Sequence, residues 1–411
     1  MSNASRADVS FFLHLGYFPG YADALPLDYS GVDPSRYAGW DEQALMDEGG
    51  RLFRKAIEDD FVAGARHVVP ISGGLDSRAI LCALREFTDA GNIETYTFGT
   101  PGSYDYELGA QVARAAGVRH QAIDLTQVSW QAEELLENAR RNDAQTFLFH
   151  HVPISLLEPY SDALIWSGYI GDAVVGGHLK AEPAMSLEQA KGRYLKKRAE
   201  VKSMVMHDGD VGGMSAYIGG GFASPDVLSF DEQVLFAEVG KLVAPHVLIK
   251  GFSYKTPFIN NDFWRWGLSI DGRWRRDRNL FIAMMRRAYP DVFDVPNKPN
   301  FGLSYRASRL QVFAARLKNK ILHKGIEVMP FINWPSSPNT NFIDFSKLVR
   351  EREDLKNMSY AFLQALKARD IVTWLDIDAI WESHFSRRKN CGDAIALLVS
   401  LEANLQVKEE G

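Results

Sequence analysis

Short apolar runs alternate with segments of helical periodicity between residues 60 and 180. The run RHVVPIS is followed by two glycines and then by DSRAILCALREF, whose apolar residues recur on one helical face. Further strands are predicted at IETYTFGT, RHQAIDL and DALIWSGYIGD, and a helix that ends at Gly117 separates the first two of these. Strands joined by helices of this length predict a parallel, doubly wound α/β sheet with helices on both faces.

The pattern differs on either side of this region. Residues 1–40 contain many turn formers, so we expect an N-terminal arm there. Residues 41–63 have helical spacing, with a weak point at Gly49-Gly50. Beyond residue 180, long helical segments predict a largely helical C-terminal half, in which the glycine-rich stretch 207–226 is expected to be a mobile loop rather than core.

These patterns divide the chain into segments. Residues 330–342 are predicted to be a connection between helices. The predicted organisation is an N-terminal arm over 1–40, a main domain over 41–305 with its sheet core in 60–180 and a helical part in 181–305, and a C-terminal helical extension over 306–411.

The composition is that of an ordinary globular protein, with 46% apolar and 24% charged residues among 411. No apolar run approaches the roughly 20 residues that a membrane-spanning helix needs, and the N-terminus lacks a signal-peptide pattern. The two cysteines, Cys82 and Cys391, show no CxxC or Cys/His grouping, which argues against a disulfide framework and a zinc site. We expect a cytoplasmic protein with no membrane partner.

The formal net charge of -6 argues against a general nucleic-acid-binding protein. Three basic clusters nevertheless occur, at residues 191–202, 273–278 and 306–324. Each either contacts an anion or forms the solvated face of a helix, and we favour the solvated face because helices commonly carry such charges.

The stretch SGGLDS, from Ser72 to Ser77, forms a glycine turn between a predicted strand and a predicted helix. Backbone N–H groups at a helix N-terminus bind anions, and Gly73 and Gly74 let the backbone approach a phosphate closely. Asp76 would repel a phosphate unless a divalent cation such as Mg²⁺ lay between them. A purely structural turn with a capping Ser or Asp is the alternative.

This turn differs from the loop of ordinary P-loop NTPases, because the lysine of GxxxxGK[ST] is missing. A second glycine-bearing turn, Ser167 to Asp172, also follows a predicted strand. Ligands of open parallel sheets bind outside the carboxyl ends of the strands. We therefore expect the two turns to share one cleft.

SGGLDS resembles the PP-loop signature of the ATP pyrophosphatases, whose fold is of the adenine nucleotide alpha hydrolase-like type. Later segments resemble, in the right order, the synthetase domain of the asparagine synthetase family, and together the motifs cover roughly residues 60–305. These segments are YTFGTPGSYDYELGAQVARAAGVRHQAIDL (residues 96–125), SGYIGDAVVGGH (167–178), YKTPFINNDFW (254–264) and VPNKPNFG (295–302).

The resemblance implies that ATP is cleaved between its α and β phosphates and that a carboxylate becomes an acyl-adenylate, which an amine then attacks. It implies ATP and Mg²⁺ as cofactors, with Asp76 and Asp172 as the magnesium ligands. Lys298 is implied to place a positive charge near the departing pyrophosphate. The implied nucleotide-binding residues are Ser72, Gly73, Gly74, Leu75, Asp76, Ser77, Phe98, Gly99 and Gly168.

Tyr169 gives SGYIGD, which resembles the T-G-Y-x-x-D of β-lactam and carbapenam synthetases, where asparagine synthetases usually have Glu. In those enzymes the tyrosine, assisted by a glutamate, deprotonates the substrate's own amine. A phenol with a pKa near 10 needs such assistance near neutral pH. The alternative is a tyrosine that only lines the cleft. The candidate glutamate partners here are Glu182, Glu188 and Glu200.

Two other positions depart from the family pattern. Arg78 replaces a serine and is expected either to reach phosphate or to point to solvent. Asn260 replaces an aspartate, so no role is implied for it. The family's glutaminase domain, with its cysteine directly after the initiator methionine, has no counterpart before the glycine turn, and we expect that glutamine is not hydrolysed by this chain.

The leading hypothesis is an AMP-forming amide ligase for a small-molecule or peptide carboxylate and an amine. One alternative is amidation of an acid, such as a uronic acid, with ammonia from solution or from a separate ammonia-supplying partner. Another is an ATP-binding homologue without catalysis. We expect no nucleic-acid partner, and a homo-oligomer is compatible with the sequence.

Overall fold

The computed structural model of the protein describes residues 4–21, 27–150, 152–209, 211–329, 332 and 334–410. Residues 1–3 and 22–26 of the predicted arm, and residues 330, 331 and 333 of the predicted connection, lie outside the described residues.

The helices account for most of the regular structure in this part of the chain. They are α1 (Arg6–Leu15), α2 (Glu42–Asp60), α3 (Asp76–Leu84), α4 (Tyr104–Ala116), α5 (Ala132–Arg141), α6 (Gly171–Val174), α7 (Leu187–Arg198), α8 (Phe230–Val247), α9 (Asn261–Ser269), α10 (Gly272–Arg275), α11 (Asn279–Ala288), α12 (Pro290–Phe293), α13 (Arg309–Val328), α14 (Phe345–Glu351), α15 (Glu353–Ala368), α16 (Ile377–Phe385) and α17 (Gly392–Glu410).

The described strands form one five-stranded parallel sheet in the order β3-β2-β1-β4-β5. The strands are β1 (His67–Pro70), β2 (Ile93–Gly99), β3 (Arg119–Asp124), β4 (Leu164–Trp166) and β5 (Ser253–Lys255). The first four confirm the predicted strands and the α/β class. β5 was not predicted, and it is a short, partly polar strand at the sheet edge.

The order of strands places a topological switch between β1 and β4. The chain runs from β1 outward to β2 and β3, then crosses back to pair β4 with the other side of β1. Val68 lies opposite Ile165 in this pairing, so the turns that follow β1 and β4 begin side by side. A switch point of this kind creates a crevice at the carboxyl ends of the strands.

Both faces of the sheet are covered by apolar layers, as the doubly wound prediction requires. Val68 and Ile165 face a layer formed mainly with α1, α5 and α14–α17. Their neighbours Val69 and Trp166 face a layer formed with α2, α3, α9 and α11. Because side chains alternate between the faces of a strand, adjacent residues serve different layers.

Two helical predictions need correction. α2 is continuous through Gly49. A Cβ at this position would lie 2.2 Å from the ring of Trp266, so only glycine lets Trp266 pack this close to α2. The glycine is therefore a point of close helix packing and not a weak point. α3 is buried all round rather than on one face, and it ends at Leu84, before the predicted Phe87.

The ends of the chain contribute to the core. The predicted N-terminal arm includes α1, whose residues Val9 to Leu15 are buried and which packs on α17. The glycine-rich stretch 207–226 contains a 3-10 helix, Val211–Tyr217, and buries Met214 and Ile218, so this part is not the core-free loop that was predicted. The domain boundaries at residues 40, 180 and 305 stay predictions.

Within the described residues, no helix combines the length and the apolar character needed to cross a bilayer.

Candidate active site

The SGGLDS turn connects the end of β1 to the first turn of α3. The Ser72 hydroxyl accepts the N–H of Gly74 at 3.1 Å, which fixes the shape of the loop. Leu75 precedes α3, and no side chain in the described part of the chain caps this helix. The capping alternative is therefore not what the structure displays, and the first N–H groups of α3 stay available to an anion. Ser77 lies in this first turn.

Asp76 and Asp172 lie together where the two turns meet. The SGYIGD turn packs directly on Asp76: a Cβ on Gly168 would lie 3.0 Å from the Asp76 Cβ, and one on Gly171 would lie 3.0 Å from the Asp76 Cγ. The backbone N–H of Asp172 is directed at the Asp76 carboxylate. Only glycines at these two positions allow such a close approach.

The two carboxylates differ in their electrostatic surroundings. Burial and the charge of Asp172 raise the pKa of Asp76. Burial also opposes ionisation of Asp172, but the hydrogen bond from His178 Nε2, 2.7 Å from its Oδ2, and the charge of Arg278 outweigh burial and lower the pKa of Asp172. Two neighbouring carboxylates that repel one another gain from a cation between them.

The carboxylate pair fits a divalent cation. The Oδ1 atom of Asp76 is buried and has no hydrogen-bond partner among the described residues. A buried, unsatisfied carboxylate oxygen is costly, and a hard cation with oxygen ligands is one way to satisfy it. Asp76 and Asp172 are therefore the residues that would hold Mg²⁺.

Lys298 lies against the same loop from the other side. Its backbone N–H donates to the carbonyl of Gly73 at 2.9 Å, and its ammonium donates to Asp105 and Asn341. The other carboxylate oxygen of Asp105 accepts the N–H of Gly73 at 3.2 Å. A lysine ammonium and a loop N–H thus converge on one carboxylate, which is an anion held by the donors expected to hold phosphate.

The structure corrects the expectation for Arg78. Its side chain neither reaches the side of the SGGLDS loop where phosphate is expected nor points to solvent. It is fully buried and donates to three backbone carbonyls, those of Val292 at 3.2 Å, Val295 at 2.9 Å and Pro296 at 2.9 Å. Burial lowers the pKa of Arg78 to about 10. The side chain ties the first turn of α3 to the segment that leads to Lys298.

Phe98 and Gly99 end β2 at the same edge of the sheet. The ring of Phe342 stacks on Phe98 with a centroid distance of 5.7 Å. The carbonyl of Phe342 accepts the Thr100 hydroxyl at 3.0 Å. The segment that contains Asn341 and Phe342 therefore lies across the strand end where the sequence predicted nucleotide contacts.

Tyr169 lies in the apolar layer on the α2 and α3 side and is only 2% exposed. Among its candidate partners, Glu188 accepts the Ser215 hydroxyl at 2.8 Å. Glu200 packs against Gly16, and burial raises the pKa of Glu200 to about 7. The carbonyl of Glu182 accepts a hydrogen bond from Arg193 at 3.0 Å. The role of Tyr169 as a base stays a prediction.

The structure adds four polar residues to the predicted set, namely Asp105, His178, Arg278 and Asn341. The acidic start of the predicted second helix was a signal for Asp105, and the basic cluster at 273–278 was a signal for Arg278. His178 has no metal-like spacing in the sequence, but it donates to Asp172 after the chain reverses at Gly176, whose φ is +91°. Asn341 had no local signal.

The asparagine synthase family model matches residues 48–380 of the chain. A segment of 70 residues is 36% identical to a Methanocaldococcus jannaschii protein that carries the provisional name glutamine-hydrolyzing asparagine synthetase 2. This segment covers 16% of the chain and 13% of that protein, so the chain matches only a small part of the length of this relative. The family match, in contrast, covers most of the chain and includes both glycine turns and Lys298. The chain belongs to the asparagine synthase family.

Proposed function

We propose that this protein is an ATP-dependent, AMP-forming amide ligase that adenylates a carboxylate and transfers the acyl group to an amine. The observation that carries the proposal is that Asp76 and Asp172, from the two glycine turns, meet beside the uncapped start of α3. The backbone of Lys298 is hydrogen-bonded to the first of these turns, SGGLDS.

In the first proposed step, a carboxylate oxygen of the acid attacks the α phosphorus of ATP, and the bond to the β-phosphate oxygen breaks. Ser72, Gly73, Gly74 and Ser77, with the N–H groups of α3, bind the pyrophosphate portion as it departs. Asp76 and Asp172 would hold Mg²⁺, which when bound would neutralise phosphate charge. His178 keeps Asp172 oriented and ionised by donating to its Oδ2.

Lys298 adds a mobile positive charge to this fixed set of donors. In the structure its ammonium is held by Asp105 and Asn341. A phosphate oxygen replaces Asn341 as the acceptor in the proposed complex, while Asp105 retains the lysine near the loop. A point charge on a flexible stem suits a group that must follow charge as it develops.

In the second step, the amine nitrogen attacks the acyl carbon, the bond to AMP breaks, and the amine loses a proton to a base. Tyr169 is 2% exposed and faces an apolar layer. This burial favours an amine that arrives from outside, such as ammonia, over deprotonation of a tethered substrate amine by Tyr169. Ammonium-dependent amide formation is thus a second candidate form of the same ligase reaction.

Pyrophosphate release from ATP, Mg²⁺ and a panel of carboxylic acids tests the proposal. We expect Asp76→Asn and Asp172→Asn to lower the rate at least about 100-fold, because each removes a charge from the cation site. Asp378→Asn, an exposed change in an ion pair with Lys367, is the matched control and should leave the rate unchanged. Tight calorimetric binding of ATP with no pyrophosphate formed from any acid would instead identify a non-catalytic ATP-binding protein.

Repeating the active reaction with and without ammonium, and analysing the product by mass spectrometry, separates the two amine sources. A product 1 Da lighter than the acid, formed only with ammonium, is the primary amide.

A further inference from the structure

The basic cluster at residues 306–324 includes most of α13, and its charges accompany an apolar stripe that the solvated-face interpretation does not explain. Leu310, Phe313, Ile321 and Val328 are 81%, 65%, 63% and 62% exposed. Leu317 lies in the same row and is also exposed. Residues at such intervals lie on one side of a helix with 3.6 residues per turn, so the stripe is continuous over about 27 Å.

The opposite face of α13 rests on the protein. Asn319 is buried, and its amide donates to the hydroxyl of Tyr104 at 3.2 Å. Val312, Ala315 and Leu322 are partly buried on the same face. Since this face lies about half a turn away from Leu317, the apolar stripe points outward, away from the protein.

The flanks of the stripe are positively charged. Arg316 and Lys320 lie on one flank, and Lys318 lies on the other. Lys324 lies close to the stripe itself, and all four side chains are exposed. The helix is therefore a basic amphipathic helix whose apolar side lacks a covering element in the described part of the chain.

The apolar stripe and its basic flanks indicate which kind of partner α13 can contact. A second copy of α13 would bring arginines and lysines against like charges, which disfavours self-pairing. A nucleic acid would meet the basic flanks but leave Leu310 and Phe313 in water. A straight, convex ridge of apolar side chains requires a matching groove in a protein partner, whereas the interface of a bilayer accepts it directly.

We propose that α13 is a membrane-surface helix that lays Leu310, Phe313, Leu317 and Ile321 into the interface of an anionic lipid bilayer. Arg316, Lys318 and Lys320 extend to the lipid phosphates, with their aliphatic stems beside the apolar stripe. The proposal adds peripheral attachment to a chain without a described membrane-spanning helix, contrary to the sequence-based expectation of no membrane partner, and does not depend on the ligase reaction.

The attachment lies near the candidate active site. Tyr104, which bonds to Asn319, also packs over Gly302 in the turn after Lys298. Its backbone N–H donates to the carbonyl of Pro338 at 2.7 Å, in the segment that crosses the end of β2. Tyr104 therefore links α13 to the segments around Lys298, and a bilayer held on α13 would concentrate an amphiphilic acid or amine on this side of the molecule.

Sedimentation of the full chain with vesicles tests the proposal. Vesicles contain either phosphatidylcholine alone or phosphatidylcholine with one third phosphatidylglycerol. We expect binding to the anionic vesicles, lowered about 100-fold by the pair Phe313→Gln and Ile321→Gln because both side chains lose contact with the acyl region. The pair Lys318→Gln and Lys320→Gln should lower binding about 25-fold, at about fivefold per charge, and only on the anionic vesicles.

The matched control is the pair Met185→Gln and Val205→Gln, which removes apolar side chains outside α13 that are at least as exposed and should bind as the parent does. Because all these positions are exposed, the variants should keep the parent's thermal unfolding midpoint. The proposal is overturned if the parent binds neither vesicle, or if the Phe313 and Ile321 pair binds as the parent does. It is also overturned if this pair converts a lipid-free dimer to a monomer, which would assign α13 to a second copy.

Discussion

The backbone N–H of Lys298 donates to the carbonyl of Gly73 at 2.9 Å, so segment 295–302 is attached to the SGGLDS loop by a main-chain hydrogen bond. This bond does not depend on the identity of the lysine side chain. A change at position 298 can therefore alter the charge next to the loop while the loop keeps its anchor.

Lys298→Met should lower the rate of pyrophosphate formation at least about 100-fold, because it removes a positive charge from the region in which phosphate charge develops. Lys298→Arg should recover part of this loss, since it restores the charge but not the compact ammonium. A pyrophosphate assay under saturating ATP measures both. Lys55→Met, in an exposed ion pair with Asp59, is the control. Equal rates for Lys298→Met and the parent would remove Lys298 from the proposed mechanism.

Arg78→Met should lower the free energy of unfolding by about 3 kcal/mol, because three carbonyls lose their buried donor. Arg78→Lys should recover little, since one ammonium cannot reproduce the planar fork of a guanidinium. Urea denaturation provides the measurement. Arg51→Met removes an exposed pair with Glu48 and should cost under about 1 kcal/mol. A similarly small loss for Arg78→Met would contradict the bridging role of Arg78.

Gly171→Ala should reduce pyrophosphate formation at least about tenfold while the protein still folds. Its Cβ would lie 2.9 Å from the ring of Phe258 and 3.0 Å from Asp76 Cγ, so the carboxylate has to shift. Gly192→Ala makes the same chemical change on α7, where nothing lies within 4 Å. That control should keep full activity and gain about 0.5–1 kcal/mol of stability. If both variants are fully active, the close packing of the SGYIGD turn is not needed.

His384 should make the protein sensitive to acid. Burial and the charge of Arg350 lower the pKa of His384 to about 3, from 6.5 in an unfolded chain. Its Nδ1 accepts the N–H of Cys391 at 3.2 Å and a donor of Arg350 at 3.0 Å, so the folded state requires the neutral ring. Between pH 6.5 and 3 the unfolded state binds one more proton at this residue, and stability falls as the pH falls.

The free energy of unfolding should therefore drop by about 1.4 kcal/mol per pH unit below pH 6.5 from His384 alone. Urea denaturation of the parent and of His384→Gln between pH 7.5 and 4.5 measures this slope. The variant is expected to lose less stability on acidification, although it starts from a lower value at pH 7.5. Parallel profiles for the two proteins would show that His384 binds protons equally in the folded and unfolded states, which would contradict the prediction.

The parallel sheet was predictable because its signals are local. The β-branched run before Ser72 and the glycine turn after it lie within about ten residues of one another, and the helix predicted to end at Gly117 does end there, with a left-handed cap. β5 gave no such signal, because three partly exposed residues at a sheet edge show no clear alternation. α1 was obscured by the turn formers that follow it.

The candidate site was predictable in its motifs and not in its polar network. Arg78 bonds to carbonyls more than 200 positions away, and no local pattern can state where a guanidinium finds such acceptors. Asp105 and Asn341 meet at Lys298 for the same reason, through tertiary contacts alone. His178 is different: its distance from Asp172 is short in sequence, but the chain reversal at Gly176 that joins them depends on backbone conformation.

The packing of α17 against α1, α5, α14 and α15 has a consequence for how the chain folds during synthesis. The ribosome makes α17 after every other described element, so the apolar layer that α17 completes on one face of the sheet stays unfinished until residues 392–410 have been made. Chains released before residue 392 should expose apolar surface on that face and depend on chaperones.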